Sequence, residues 1–266
     1  MRAIVGLFAL AALVLGGGLL LAGPGAGWGF WDFGRSFEIY RWFAAPKEIV
    51  GPVTLPPALT AGLISLLGGL AFLFRGPRAL GAFALIAALT AAAGSYVPIK
   101  MRALAEAYPF IHDITTDFEN PPEIVAAADL PRKNPADYVG DEQVGDTGKT
   151  VAQSQLEAFP DITPILIDAD VQAATERARA AISALGMEVL AEGPVSEESG
   201  SGWRIEAVYT SQWFRFKDDF IVRIKNDTDG KARLDVRSKS RVGGSDLGAN
   251  GERIRAFRDL MIAGQA

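Results

Sequence analysis

The chain has 266 residues, a formal net charge of −5, a single histidine and no cysteine. That balance excludes a domain-wide electrostatic grip on nucleic acid, which needs a basic excess. The absence of cysteine excludes disulfides, iron–sulfur clusters, thiolate zinc sites and lipoprotein acylation, and a lone histidine excludes a His-rich metal site, so neither metal nor cofactor is expected.

Composition is segregated, with apolar residues crowding the first hundred positions and charges the remainder. Residues 3–23 carry no charge and are long enough to cross a hydrocarbon core of about 30 Å. A secretory signal would have a shorter apolar region and a small-x-small cleavage site, whereas this run ends in Gly23-Pro24-Gly25, which favours a retained anchor. Residues 28–43 follow as the most aromatic segment, with Trp28, Trp31, Tyr40 and Trp42 interleaved with Asp32, Arg35, Glu38 and Arg41. Rings at headgroup depth with charges reaching water predict a membrane-interface helix or loop. Pro46, Pro52, Pro56 and Pro57 punctuate the return.

Residues 58–74 and 79–97 are two further uncharged spans, joined by the turn Arg75-Gly76-Pro77-Arg78. By the positive-inside rule that turn faces the cytoplasm, with the amino terminus inside and everything after Val97 outside. Small residues recur in all three spans, at Gly16–Gly18, Gly68–Gly69 and Ala91–Gly94, and allow close helix packing within the chain or against another membrane protein. No ionisable residue interrupts a span, which argues against a proton or ion pathway.

Residues 100–161 form an acidic, proline-rich linker, with Tyr138–Thr150 the stretch most prone to disorder. From 162 onward the pattern becomes regular. A strand at 163–167 precedes a helix capped by Asp170 and ended by Gly186, with Val171, Ala174, Ala178, Ala181, Ile182 and Leu185 on its buried stripe. A strand at 187–191 is followed by a turn-rich loop at 192–202. Period-two alternation then marks strands at 203–210, 219–225 and 233–241, the last two joined through Asn226-Asp227-Thr228-Asp229-Gly230. A closing helix starts near Asn250 as its cap, with Ile254, Phe257 and Met261 inward. The expected architecture is therefore a three-span α-helical membrane anchor (1–99) followed by a two-layer α+β sandwich (162–266), an antiparallel sheet of order β-α-β-β-β-β-α with both helices on its apolar face.

The other sheet face collects Arg204, Glu206, Arg223, Lys225, Arg233, Asp235, Arg237, Lys239 and Arg241. Its basic members have the sign to receive the acidic linker, which predicts that part of 113–146 docks there. The densest polar cluster lies where a strand enters a glycine-rich bend ahead of a helix, and Arg237, Ser240, Arg241, Ser245, Asp246, Asn250 and Arg253 could together hold an anion. Neither a P-loop nor a dinucleotide fingerprint is present. The competing structural reading has the glycines bend the chain, Ser245, Asp246 and Asn250 cap it, and the arginines pair with nearby acids. Asp218 and Asp219 point to opposite faces of a strand and cannot share one ion, which suggests a solvated turn.

Several segments resemble the bacterial domain of unknown function 1499 family. They are His112-Asp113-Ile114-Thr115-Thr116-Asp117 with Asn120-Pro121-Pro122, then Arg204-Ile205-Glu206-Ala207 with Thr210-Ser211, then Phe216-Lys217-Asp218-Asp219. The last runs from Asp235-Val236-Arg237-Ser238 through Arg241-Val242-Gly243, Ser245-Asp246-Leu247-Gly248 and Asn250 to Arg253-Ile254-Arg255. The resemblance spans roughly 108–262 and implies an envelope-associated protein with no established activity, with the HDITTD segment inside the domain. The expectation is an inner-membrane protein with a periplasmic domain that acts as a binding or accessory module. Its expected partners are the bilayer, another membrane protein or a second copy, and anionic lipid headgroups. The rival expectation is an envelope hydrolase or transferase built from Arg237, Ser240, Arg241, Asp246 and His112 in one cleft.

Overall fold

A computed structural model describes all residues except 51–52, 198–199, 228–229 and 264–266. Pro52, Thr228 and Asp229 of the predicted punctuation and turn lie outside the described residues. The chain divides into two compact units, Met1–Ala103 with Gln212–Arg215, and Leu104–Ser211 with Phe216–Ala266.

In the first unit, α1 (Arg2–Gly27), α3 (Pro57–Arg75) and α4 (Arg78–Ala107) are long and apolar enough to cross a membrane. Their packing is inverted relative to a water-soluble bundle. The inside is small, with Ala9, Ala12, Ala84, Ala87 and Ala91 fully buried, while Leu7, Leu67 and Leu89 are 66%, 62% and 71% exposed. Small residues set how closely the helices approach. A Cβ on Gly16 would lie 2.5 Å from the Ala91 Cα, and one on Gly94 would lie 2.3 Å from the Gly16 carbonyl.

Between the first two spans, α2 (Phe33–Ala44) starts at Asp32, whose carboxylate accepts from the Arg35 N–H at 3.0 Å. A short hairpin of β1 (Lys47–Val50) and β2 (Val53–Leu55) follows. Gln212–Arg215 belongs to this unit as well. There the Trp213 indole donates to the Tyr40 hydroxyl at 2.9 Å, and Phe214 stacks on Phe37 with ring centroids 5.7 Å apart.

The second unit is a six-stranded antiparallel sheet with helices on one face. Its elements are β3 (Asp113–Thr115), α5 (Val151–Ala158), β4 (Ile165–Ile167), α6 (Val171–Ala184), β5 (Glu188–Glu197), β6 (Gly200–Thr210), β7 (Lys217–Asn226), β8 (Ala232–Ser240) and α7 (Ala249–Ala263). From β4 onward the order is the predicted β-α-β-β-β-β-α. The strand order is β3-β8-β7-β6-β5, and β4 also pairs with β8.

The two short strands share one edge of β8. β3 lies along Arg237–Lys239 and β4 along Ala232–Leu234. Thr116 fills the interval, its N–H donating to the Val236 carbonyl at 2.9 Å and its hydroxyl accepting from the Val236 N–H at 2.8 Å. No backbone group of this buried edge needs water.

The apolar core lies between sheet and helices, where Ile205, Phe220, Val222, Ile224, Leu234 and Val236 meet Ala174, Ala178, Ile182, Ile254, Phe257 and Met261. Phe220 and Phe257 pack edge-on, 5.3 Å between centroids.

Two local expectations are corrected. The predicted loop at 192–202 is mostly strand, since β5 runs to Glu197 and β6 starts at Gly200. Gly193 and Pro194 obscured it, but β5 is the sheet's outer strand, where a proline's missing N–H removes no ladder bond if that side faces outward. The stretch Tyr138–Thr150, expected to be prone to disorder, has no helix or regular strand but is packed and hydrogen-bonded. Val139 and Val144 are buried, Gln143 bridges to Thr150, and Thr150 with Gln153 forms a capping box for α5.

Candidate functional site: a covered charged face and the pocket at its end

The polar face of the sheet is buried by residues 113–136 and their flanks. Asp113, fully buried, is the main hub. Its two oxygens accept from the Arg237 Nε and Nη2, each at 2.9 Å, and Lys239 Nζ stands 3.0 Å from Oδ2. Lys239 also donates to the Asp137 carbonyl at 2.6 Å, and the Arg237 guanidinium lies 5.4 Å from the centre of the Tyr138 ring. Burial pushes the Lys239 ammonium below its ordinary pKa, while Asp113 opposes that shift. The same burial, with Asp113 beside it, drives the Tyr138 phenol upward.

Further along, Asp219 Oδ1 accepts from Arg241 Nε at 2.8 Å and Asp219 Oδ2 from Arg132 Nη1 at 3.1 Å. Glu206 Oε2 receives the consecutive N–H groups of Val125, Ala126 and Ala127 at 3.0, 2.9 and 3.3 Å. An apolar contact reinforces these bonds, with Ile221 on this mostly polar face packing against Ile124 and Ala127.

The seven residues expected to hold an anion are divided between the two faces. Arg237 and Arg241 lie on the covered face with Asp113 and Asp219. Ser240, Asn250 and Arg253 lie on the helix side, where Arg253 Nη2 donates to Asp218 at 2.8 Å and Nη1 to the Asn250 Oδ1 at 2.5 Å and to Ser238 Oγ at 2.9 Å. Asn250 Nδ2 donates to Ser240 Oγ at 3.0 Å and to the His112 carbonyl at 3.1 Å. Asn250 is therefore not the helix cap. It sits within the first turn of α7 facing inward, and Asp246 supplies the capping bonds, accepting from Gly248 N–H at 2.8 Å and Asn250 N–H at 3.0 Å. Ser245 accepts from the Leu247 N–H at 3.2 Å. Leu247 has φ +55 and Gly243 and Gly248 have φ +91 and +84, so the bend is a tight left-handed turn that glycine tolerates. Asp218 and Asp219 do face opposite ways, but both are buried ion-pair acceptors instead of members of a solvated turn.

The residues of the rival catalytic reading do not join into a relay. Ser240 Oγ is held by Asn250, both Asp246 oxygens accept backbone N–H groups, and His112 Nε2 is buried without a partner among the described residues. Burial first, and Lys239 second, pull the His112 pKa down. Burial raises Asp246 to about 6. No group of three or more potential metal ligands occurs among the described residues.

Of the aromatic residues placed at a membrane interface, Trp28 and Trp42 are 63% and 68% exposed. Trp31 and Tyr40 instead turn into the first unit. Trp31 Nε1 donates to the Ala22 carbonyl and Ser36 Oγ, and Tyr40 is buried.

At one end of the covered face a pocket of about 310 Å³ remains. It is lined by Asp117, Glu119, Asn120, Arg223, Lys225, Asn226, Arg233 and Asp235. Asp117 Oδ1 accepts the N–H groups of Glu119 and Asn120, and its Oδ2 accepts from Arg223 and Arg233 at 3.3 and 3.2 Å. Asp235 receives Arg223 on one oxygen and Arg233 on the other, both at 3.0 Å. Sequence reading missed this pocket because Asp117 and Asn120 are remote from the β7–β8 pair. Charges alternating along those strands, with the HDITTD acids of matching sign, were the available signal.

Three helices long and apolar enough to cross a membrane suggest a membrane-associated protein, and they precede an α+β domain with an apolar core and a charged sheet face covered by its own chain. The family model described as "Protein of unknown function (DUF1499)" matches residues 113–261, more than half of the chain, and the chain belongs to that family. No curated protein and no solved structure matches it.

Proposed function

We propose that the protein is a membrane-anchored binding or accessory module of the bacterial inner membrane, with its amino terminus cytoplasmic and its α+β domain periplasmic. The observation that carries this reading is the inverted packing of the first unit. An interior mostly of alanine and glycine, with Leu19 and Phe72 as larger members, and exposed leucines such as Leu7, Leu67 and Leu89 suit hydrocarbon as the surrounding solvent. The bond between Trp213 and Tyr40 is consistent with three crossings, because an odd number of spans puts α2 and everything after α4 on one side.

A binding role is favoured over catalysis because the serines, arginines and acids of the bend are committed to one another. Partners in keeping with it are another membrane protein, a second copy or anionic lipid headgroups, and the part of the basic sheet face around Arg237, Lys239 and Arg241 is not the surface that meets them, since Asp113 and Asp219 occupy it.

The cysteine-free sequence makes the topology simple to test. Ala79→Cys, in the turn region after α3, and Glu142→Cys, on the second unit, are both exposed positions. In spheroplasts a membrane-impermeant maleimide labels the Glu142→Cys protein directly and the Ala79→Cys protein only after permeabilisation. The reverse pattern, or equal labelling, overturns the topology.

A further inference from the structure

We propose that the pocket between Asp117 and Arg233 is a ligand site for a small hydrophilic oxyanion, a phosphate or phosphomonoester group, with Arg233 as the residue that meets it. The inference deepens the binding-module reading and rests on it. It begins from which pocket groups have bonding capacity left. Asp117 uses both oxygens, two backbone N–H groups on one and two guanidinium groups on the other. Asp235 likewise takes one arginine on each oxygen. The two carboxylates of the inner wall thus serve to position arginines and offer little to an incoming cation.

Arg233 is in the opposite condition. Arg233 spends Nε and Nη2 on Asp235 and Asp117, while its side chain stays 38% exposed, so the Nη1 edge of a fixed, charged fork has no partner among the described residues. A guanidinium held from behind by two carboxylates presents its remaining N–H groups with little conformational freedom left to lose. Lys225 lies directly across the ladder from Arg233, so two cationic positions adjoin on the same face.

Ligand size and polarity follow from the lining. About 310 Å³ is at the small end of ligand pockets, and every lining residue is charged or a carboxamide, so the site suits a polar group and excludes an acyl chain. Glu119 is exposed and makes no side-chain ion pair among the described residues, so it is the one lining carboxylate that opposes an anion without holding any part of the fold.

Titration calorimetry of the full chain in neutral detergent, with inorganic phosphate as the probe, tests the site. The expected result is saturable binding that weakens at least tenfold in Arg233→Gln and is unchanged in Arg255→Gln, whose arginine pairs with Asp161 away from the pocket. Because Arg233→Gln also removes two ion pairs, Glu119→Gln supplies the check that leaves the fold intact, and it tightens phosphate binding severalfold at low salt. Absence of saturable binding, or binding indifferent to both pocket variants, overturns the proposal.

The source of the phosphate is read from a second arm. If the group belongs to a lipid, protein in nanodiscs containing phosphatidic acid, a phosphomonoester lipid, takes up no added phosphate while protein in phosphatidylcholine nanodiscs does. If it belongs to a soluble compound, both take it up. Failure here with the expected maleimide pattern would remove the ligand and leave the membrane-anchored module standing.

Discussion

The two faces of the six-stranded sheet are both closed to water, by different means. On one, Phe220, Val222, Ile224, Leu234 and Val236 close against α6 and α7 mainly by hydrophobic burial, with the Arg253–Asp218 pair and Asn250 as a polar cluster at its end. On the other, Arg237, Lys239, Arg241, Asp219 and Glu206 close against an irregular segment by ion pairs and backbone hydrogen bonds. The helix side tolerates some misfit because dispersion and burial are not directional. The segment side requires each charge to find its counterpart, because an unpaired buried ion costs far more than a paired one returns.

The largest expected effect therefore belongs to Asp113. Asp113→Ala leaves Arg237 and Lys239 buried with one carboxylate fewer between them, and chemical denaturation should show a loss of roughly 4–5 kcal/mol, at the upper end of the cost of breaking a buried pair. A loss below about 1 kcal/mol would mean that the segment is only loosely applied and that water reaches both cations.

Ile221→Ala sharpens the comparison at an apolar contact on the charged face. Removing it should cost about 2–3 kcal/mol, the lower part of the range for a buried isoleucine, because its cluster with Ile124 and Ala127 is small. A negligible change in the unfolding midpoint would show that ionic contacts alone hold the segment.

The smallest effect is pH-dependent and belongs to the α7 cap. The folded pKa of Asp246 is raised to about 6 by burial, above its unfolded value, so the folded state binds the extra proton between those two values. The stability from this group is fully present below the unfolded pKa and is lost as pH rises through 6. Asp246→Asn gives up one acceptor at every pH but lacks that slope. The melting temperature of the variant relative to the unmodified protein should accordingly rise by roughly 4–8 °C between pH 4.5 and pH 7.5. A difference that stays flat across this interval would show that Asp246 is ionised at little cost.

Much of the fold was legible because its signals are local. Period-two alternation located β6, β7 and β8, Asp170 marked the start of α6, and charge-free runs outlined the three long helices. The covering segment was less legible in form, because it has no period and is specified by partners far along the chain. Gln155 illustrates this, bonding both the N–H and the carbonyl of Thr115 from 40 positions away at 3.0 and 2.6 Å. Asn134, which caps the Ser240 and Gly243 carbonyls at 2.9 and 2.8 Å, gives no local signal either. At the bend, residue types were informative about chemistry and misleading about availability. Arginines and serines beside glycines fit an anion site, and which carboxylates fold back to occupy them is decided only in three dimensions.

Amide hydrogen exchange on the intact protein tests the covered face most directly. The N–H of Thr116 bonds to Val236, those of Val125, Ala126 and Ala127 to Glu206, and those of Lys133 and Asn134 to the Arg241 carbonyl. These amides lie in a segment almost without regular structure, and only its docking on the sheet can slow them. Protection at all three places comparable with that of β7 is the predicted result. Exchange there at the rate of an unstructured chain, with β7 still protected, would contradict the account.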